Sequence, residues 1–237
     1  MTESPEILRA EAIAKSYHNG AEEVPVLRGA SLSLREGEIG VIVGPSGVGK
    51  STLLHILGLL DTLDSGKVFY AGRDVSGLSE RERDRLRNAE IGFIFQFFHL
   101  LPDLTALENV LLPGMIGASA IGWLGAKTEW RRRAAEVLER VGLSHRLTHR
   151  PSQLSGGEKQ RVAIARALVS NPRVVFCDEP TGNLDSASAR SIRSLLWELN
   201  KEQGLTLLIV THNIEFTEGA HWVARLADGR LILTSRV

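Results

Sequence analysis

The segment Gly44-Pro45-Ser46-Gly47-Val48-Gly49-Lys50-Ser51-Thr52 constrains this chain more tightly than any other. A glycine, four residues, a second glycine, a lysine and a serine stand between two apolar runs, Ile39 to Val43 and Leu53-Leu54-His55-Ile56-Leu57. A short run leading into a glycine-rich turn and then a helical pattern makes a phosphate loop. Glycines are needed because backbone N–H groups must turn inward around a phosphate, where a side chain would block the approach. The helix beginning near Gly49 adds the positive end of its dipole, Lys50 neutralises outer phosphates, and the Ser51 hydroxyl is placed to ligate Mg²⁺. A glycine-rich turn before an ordinary helix is the plainer reading. The joint occurrence of the full pattern and its flanks argues against it.

A second element belongs to the same chemistry. Val174-Val175-Phe176-Cys177 is a continuous apolar run of the kind buried on both faces of a parallel sheet, and Asp178-Glu179 follows it. Open α/β sheets bind ligands at the C-terminal ends of their strands, which would put both carboxylates beside the phosphate loop. Asp178 would then hold Mg²⁺ through water, and Glu179 would act as general base on the attacking water. A capped strand end with two solvated acids is the competing reading.

Downstream lies Leu154-Ser155-Gly156-Gly157-Glu158-Lys159-Gln160-Arg161, continued by an amphipathic stretch that ends before Asn171-Pro172. Ser155 reads as an N-cap and Glu158 as the partner in a capping box. Capping alone leaves Gly156 and Gly157 unexplained, because glycines weaken a first turn. They make sense if N–H groups and the Ser155 hydroxyl contact a phosphate.

Phosphate loop, Leu-Ser-Gly-Gly-Glu segment and Asp-Glu pair, in this order, resemble the ATPase subunits of ABC transporters over nearly the whole chain. The resemblance implies a head-to-tail dimer around two ATP molecules, with Ser155, Gly156, Gly157 and Glu158 of one copy covering the γ-phosphate held by Gly44 to Thr52 of the other. Further positions follow from it one at a time. Tyr17 resembles the aromatic that stacks on adenine, although a tyrosine ending a strand is often simple packing. Gln96, after Ile91-Gly92-Phe93-Ile94-Phe95, looks like the residue that meets Mg²⁺ and the attacking water. Asp185, in Gly182-Asn183-Leu184-Asp185, fits a loop at the dimer interface, and His212 fits the histidine that contacts γ-phosphate. The wording around Phe95 to Pro102, Leu104 to Val110, His145 to Pro151 and Thr181 to Asp185 most resembles the lipoprotein-releasing branch, with macrolide-exporter and cell-division ATPases as relatives. Asn213 departs from that pattern, where an acid is usual.

The expected fold is α/β, a P-loop NTPase (RecA-like) core with an N-terminal antiparallel β layer and an inserted α-helical subdomain. Residues 1–237 read as one domain, with about 1–95 and 165–237 as the nucleotide-binding core and about 96–164 as the helical part. Ile7 to Tyr17 and Val26 to Leu34 read as strands of the antiparallel layer, and Thr206 to Val210 as a core strand. Helices are expected from Ser79, over Thr128 to Val141, and over Ser186 to Gln203. The alternating charges Arg81 to Arg87 read as a solvated face rather than a basic patch for lipid headgroups.

Composition sets limits on partners. Formal net charge is zero across 237 residues, which gives no electrostatic footprint for nucleic acid. The lone Cys177, in a buried strand, fits packing in a reducing compartment. Met1 to Glu6 is polar and carries no apolar leader segment. The uncharged run Asn109 to Ala126 falls short of the roughly 20 apolar residues that span a bilayer, and Pro113 with its glycines makes it a poor helix. The resemblance places this run in a lobe that touches a membrane permease, so Ile121, Trp123 and Leu124 are expected to be exposed docking residues. Location at the cytoplasmic face of the inner membrane, peripheral and held by partners, follows from the same resemblance. An ABC ATPase acting on DNA would usually carry coiled coils or further domains, and a phosphate-loop kinase or GTPase would leave Ser155 to Glu158 unexplained.

Overall fold

The computed structural model describes residues 4–20, 22–117 and 120–236. Two sheets lie at its centre. Strands β1 (Glu6–Asn19), β2 (Glu22–Arg35), β4 (Ser65–Tyr70) and β5 (Arg73–Asp74) form an antiparallel sheet in the order β2-β1-β4-β5. The larger sheet has the order β10-β9-β3-β8-β7-β6, built from β3 (Ile39–Val43), β6 (Ile91–Phe95), β7 (Val174–Asp178), β8 (Leu207–Thr211), β9 (Trp222–Ala227) and β10 (Arg230–Arg236). It is parallel except for the β9–β10 edge. Helices are α1 (Lys50–Leu57), α2 (Glu80–Glu90), α3 (Ala106–Gly117), α4 (Ala120–Arg140), α5 (Gly156–Leu168) and α6 (Ser186–Gln203).

Alternation along the parallel strands explains their uninterrupted apolar sequences. Val175 and Cys177 of β7, with Leu207 and Ile209 of β8, pack on one face among residues of α3 to α6. Val174 and Phe176, with Leu208 and Val210, pack on the other face against α1 and the antiparallel layer. A strand with both faces covered has no place for the polar residue that would mark every second position. Full burial of a side chain such as Phe176 stabilises the fold by about 1.5–3 kcal/mol. This sheet holds three strand ends level, and the site is built on them.

The region around Pro113 differs from expectation. Pro113 lies inside α3, and α4 starts at Ala120 rather than at Thr128. Helix-interior proline costs about 3 kcal/mol in isolation, but tertiary contacts hold this helix from both ends. Thr105 and Glu108 exchange capping bonds at its start, and the Ala106 and Leu107 N–H groups donate to His149 and Leu147 carbonyls. The buried Asn109 amide donates to the carbonyls of Leu101, Leu104 and Thr105. At the other end Gly114 admits the Trp130 ring of α4, whose atoms would stand 2.4 Å from a Cβ placed there.

The exposure expected of the docking residues in this run holds for Leu124 and only in part for Trp123. Trp123 is half-buried and packs on the core, whereas Leu124 is 74% exposed. Ala118, Ser119 and the side chain of Ile121 lie outside the described residues. Among the described residues no helix is long and apolar enough to cross a membrane.

Helix α2 behaves as its charges suggest: Ser79 and Glu82 form the capping box, and no α2 residue is buried. Replacing Gly114 by Val should wedge α3 from α4 and lower unfolding stability by about 1–3 kcal/mol, the usual cost of overpacking. Urea denaturation reads this; an unchanged midpoint would mean that Trp130 moves aside without loss.

Candidate functional site

The phosphate loop turns directly from β3 into α1. Gly47 and Gly49 hold φ of 79° and 103°, a region closed to most side chains, and Gly49 is the residue that caps α1. Lys50, the first residue of α1, is almost fully buried and folds back so that Nζ donates to the Gly44 and Pro45 carbonyls at 2.9 and 3.0 Å. The ammonium therefore stands inside the loop that Gly44 to Thr52 forms, with Glu179 Oε1 3.7 Å away. Burying a lysine is unfavourable without compensation, and two carbonyls with a carboxylate provide it.

Across the sheet, β7 delivers the acidic pair. Ser51 Oγ donates to Asp178 Oδ1 at 3.0 Å, and His55 Nε2 of α1 lies 3.9 Å from Asp178 Oδ2. Burial pushes the Asp178 carboxyl above its ordinary range, partly offset by the Ser51 hydrogen bond. A half-buried carboxylate beside a hydroxyl is an oxygen-only donor set of the kind hard divalent cations use, and a cation there would relieve the burial penalty. Ser51 and Asp178 thus fit Mg²⁺. His55 went unnoticed in the sequence, where it reads only as a helix residue; its position one helical turn beyond Ser51 was the available signal.

Glu179 is held from several directions. Its φ of 47° is strained for a side-chain-bearing residue, and the turn is fixed by Glu179 N–H to Val210 carbonyl (2.9 Å) and Gly182 N–H to Glu179 carbonyl (3.0 Å). Glu179 Oε2 accepts from Thr211 Oγ1 at 2.9 Å and from the His212 N–H at 3.2 Å. His212 Nδ1 lies 2.9 Å from Glu179 Oε1, which sets Nδ1 as the donating nitrogen and leaves Nε2 pointing elsewhere. The Thr211 hydroxyl is a further contributor that sequence patterning passed over, because a threonine ending a strand carries no signal of its own.

The remaining candidates are placed with less convergence. Gln96 follows β6 and exchanges bonds with Asn183: its side-chain Nε2 donates to Asn183 Oδ1 at 3.2 Å, and Asn183 Nδ2 donates to the Gln96 backbone carbonyl at 3.1 Å. Its polar end is thus engaged with the 181–185 loop in this arrangement. Asp185 caps α6, accepting from the Ala187 and Ser188 N–H groups and from Ser188 Oγ. These bonds, Ser188 foremost, hold its carboxyl below the ordinary range. Tyr17 is 42% exposed beside the loop after α1. Asn213 Oδ1 accepts from the Glu215 N–H and caps the short turn that follows His212, a task its amide oxygen performs without a carboxylate.

Ser155 and Glu158 form the expected capping box at α5, and Arg146 Nε donates to Glu158 Oε1 at 2.8 Å. The two glycines have a partial explanation inside the chain. A Cβ on Gly156 would stand 3.3 Å from Leu184, and one on Gly157 would stand 3.2 Å from Ser188 Oγ. Close packing against the 184–188 segment therefore accompanies any role in binding. One turn further along α5, the buried Gln160 Nε2 donates to the Pro180 carbonyl at 2.7 Å and fixes the helix to the turn that carries Glu179.

Comparison with known proteins gives the family and the fold. The ABC transporter family model matches residues 27–182. The lipoprotein-releasing system ATP-binding protein LolD 2 of Rhodopirellula baltica is 50% identical over 232 residues, covering 98% of this chain and 91% of that protein. LolD of Pseudomonas syringae pv. tomato is 51% identical over 226 residues, covering 95% and 97%. The dimeric structure of a post-hydrolysis state of the ATP-binding cassette MJ0796, bound to ADP and Pi, matches with a TM-score of 0.84 at 40% identity, covering 95% of this chain and 96% of that one. The structure of cbiO1 from Clostridium perfringens, part of the ABC transporter complex cbiONQ, matches at 0.84 and 30% identity, covering 98% and 89%.

Replacing Lys50 by Ala removes the ammonium from the loop. Nucleotide affinity should fall by about 10- to 100-fold, the scale of losing a charged hydrogen bond, in a fluorescent-nucleotide titration; undiminished affinity would place the phosphates elsewhere.

Proposed function

Because this chain belongs to the ABC transporter family, as an ATP-binding and ATP-hydrolysing subunit, we propose that two copies close around two Mg·ATP to drive a membrane complex that releases lipoproteins from a membrane. The observation that carries the chemistry is the meeting of Lys50, Glu179 and His212 at level strand ends. Likeness to LolD proteins supports the lipoprotein substrate, and likeness to a dimeric cassette supports the pairing. Work on a macrolide or another envelope substrate is the second reading, favoured by the shared family wording around Gln96.

Catalysis follows from the positions of the chain's own groups. The loop amides of Gly44 to Thr52 and the Lys50 ammonium bind the phosphates and neutralise their charge. Ser51 and Asp178 would hold Mg²⁺, which when bound would supply further neutralisation of phosphate charge. Glu179 takes the proton of the attacking water, and Thr211 with His212 orients its carboxylate for that task. His212, donating through Nδ1, keeps Nε2 available toward the γ-phosphate. Ser155, Gly156 and Gly157 complete the pocket of the second copy, where the α5 N-terminus meets γ-phosphate. Tyr17 stacks on the base, Gln96 would be a further residue to hold the metal and the attacking water if its Asn183 contact were exchanged, and Asp185 faces the partner copy.

The division into a nucleotide-binding core of about 1–95 and 165–237 and a helical part of about 96–164 gives the permease its place. Phe93, Leu112, Pro113 and Ile116 line an apolar groove between β6 and α3, and Ile116 is 76% exposed. An apolar groove of this kind suits a permease segment, and it sits beside Gln96. The chain then lies at the cytoplasmic face of the membrane through its partner.

Glu179→Gln should retain ATP while turnover falls about 10²- to 10⁴-fold, the range of a lost general base; steady-state phosphate release at the parental rate would refute the role. Ile116→Asp should lose the permease in co-purification from membranes, and full recovery would remove the groove from the account.

A further inference from the structure

Four side chains near the start of the nucleotide site form a unit that the hydrolytic chemistry does not use. Lys15 of β1 is only 8% exposed, and its Nζ lies 3.5 Å from Asp61 Oδ1 and 3.5 Å from Asp64 Oδ1. Tyr17 donates its hydroxyl to Asp61 Oδ2 at 2.6 Å. The same Lys15 ammonium lies over the Tyr17 ring, 5.2 Å from its centroid. Backbone bonds tie the loop to the strand: Ser16 N–H donates to Asp64 Oδ2 at 2.6 Å, and Asp64 N–H to the Ala14 carbonyl at 3.0 Å.

A ring that merely packed on the surface would need none of this, since water satisfies an exposed phenol. Here a desolvated ammonium is retained, with two carboxylates to compensate it, directly behind an exposed aromatic face. Burial works to raise the Asp61 carboxyl, but the Tyr17 and Thr62 hydrogen bonds and the Lys15 charge outweigh it and keep the group ionised.

We propose that Lys15, Asp61 and Asp64 are positioning residues that lock Tyr17 as a preformed, one-faced platform for the aromatic base of the nucleotide. The ammonium occupies one face of the ring, which leaves the opposite face to the base. Asp61 fixes the ring at its hydroxyl, so the side chain is already ordered before binding and the ordering cost falls outside the binding step. The inference deepens the assignment of Tyr17 as the base-stacking residue and rests on it.

Steady-state hydrolysis of ATP, together with binding of Mg²⁺-tripolyphosphate, which carries no base, tests the proposal. Tyr17→Phe keeps the ring and loses the tether; Asp61→Ala loses the tether from the other side. Each should raise the KM for ATP about 3- to 10-fold, the scale of ordering one side chain, with kcat and tripolyphosphate affinity at parental values. The double variant should be no worse than either single one, and Asp61→Asn, whose amide oxygen still accepts from the hydroxyl, should recover part of the loss. If Tyr17→Ala weakens ATP binding while Tyr17→Phe and Asp61→Ala do not, the tether proposal is overturned and the base assignment stands. If Tyr17→Ala also binds ATP as the parent does, the base assignment itself fails. Equal losses for ATP and tripolyphosphate in Asp61→Ala would mean a general structural role and would also overturn it.

Discussion

Val43 pairs with Thr211 across β3 and β8, and Val210 pairs with Asp178 across β8 and β7. This register makes three parallel strands end level, and everything chemical in the molecule follows from it. The chain leaving β3 wraps into the phosphate loop, the chain leaving β7 carries Asp178 and Glu179, and the chain leaving β8 presents Thr211 and His212. A slip of one residue would turn Asp178 toward the opposite face and break the Ser51 contact. The register is secured by complete burial on both faces, since each strand would expose its entire apolar set if displaced.

The same interior explains what could be read from sequence. Unbroken runs such as Val174 to Cys177 and Leu207 to Val210 have few readings other than strands buried on both sides, and the phosphate-loop spacing admits one geometry. Helix α6 was legible at both ends because Asp185 caps its start and Gly204, with φ of 64°, stops it. Thr211 and His55 escaped notice because their roles come from neighbours distant in sequence. Lys15 likewise looks like any strand lysine until Asp61 and Asp64 stand beside it.

Local propensity failed where tertiary contacts outweighed it. Pro113 and the glycines of the 109–126 run argue against helix in isolation, yet Gly114 is what lets Trp130 approach, and Asn109 satisfies carbonyls of the preceding loop. Trp123 is only partly available at the surface because one side of its ring packs on the core. Exposed apolar surface in this run includes Leu124 on α4 and Ile116 on α3, the latter beside the strand that leads into Gln96. A partner seated there would press on the segment whose amide is held by Asn183, next to the turn that carries Glu179. Under the proposed function, that adjacency would give a membrane partner a short mechanical path to the hydrolytic turn.

Lys50, Glu179 and His212 stand together within one chain, whereas the serine-glycine tip of α5 is occupied with its own cap and with Leu184 and Ser188. The central claim is that this tip serves a neighbour's nucleotide. Static light scattering of the hydrolysis-arrested Glu179→Gln chain, with and without Mg·ATP, tests it most directly. The account predicts a mass of twice 25.9 kDa with nucleotide and 25.9 kDa without. A chain that binds ATP stoichiometrically and stays at 25.9 kDa would contradict it.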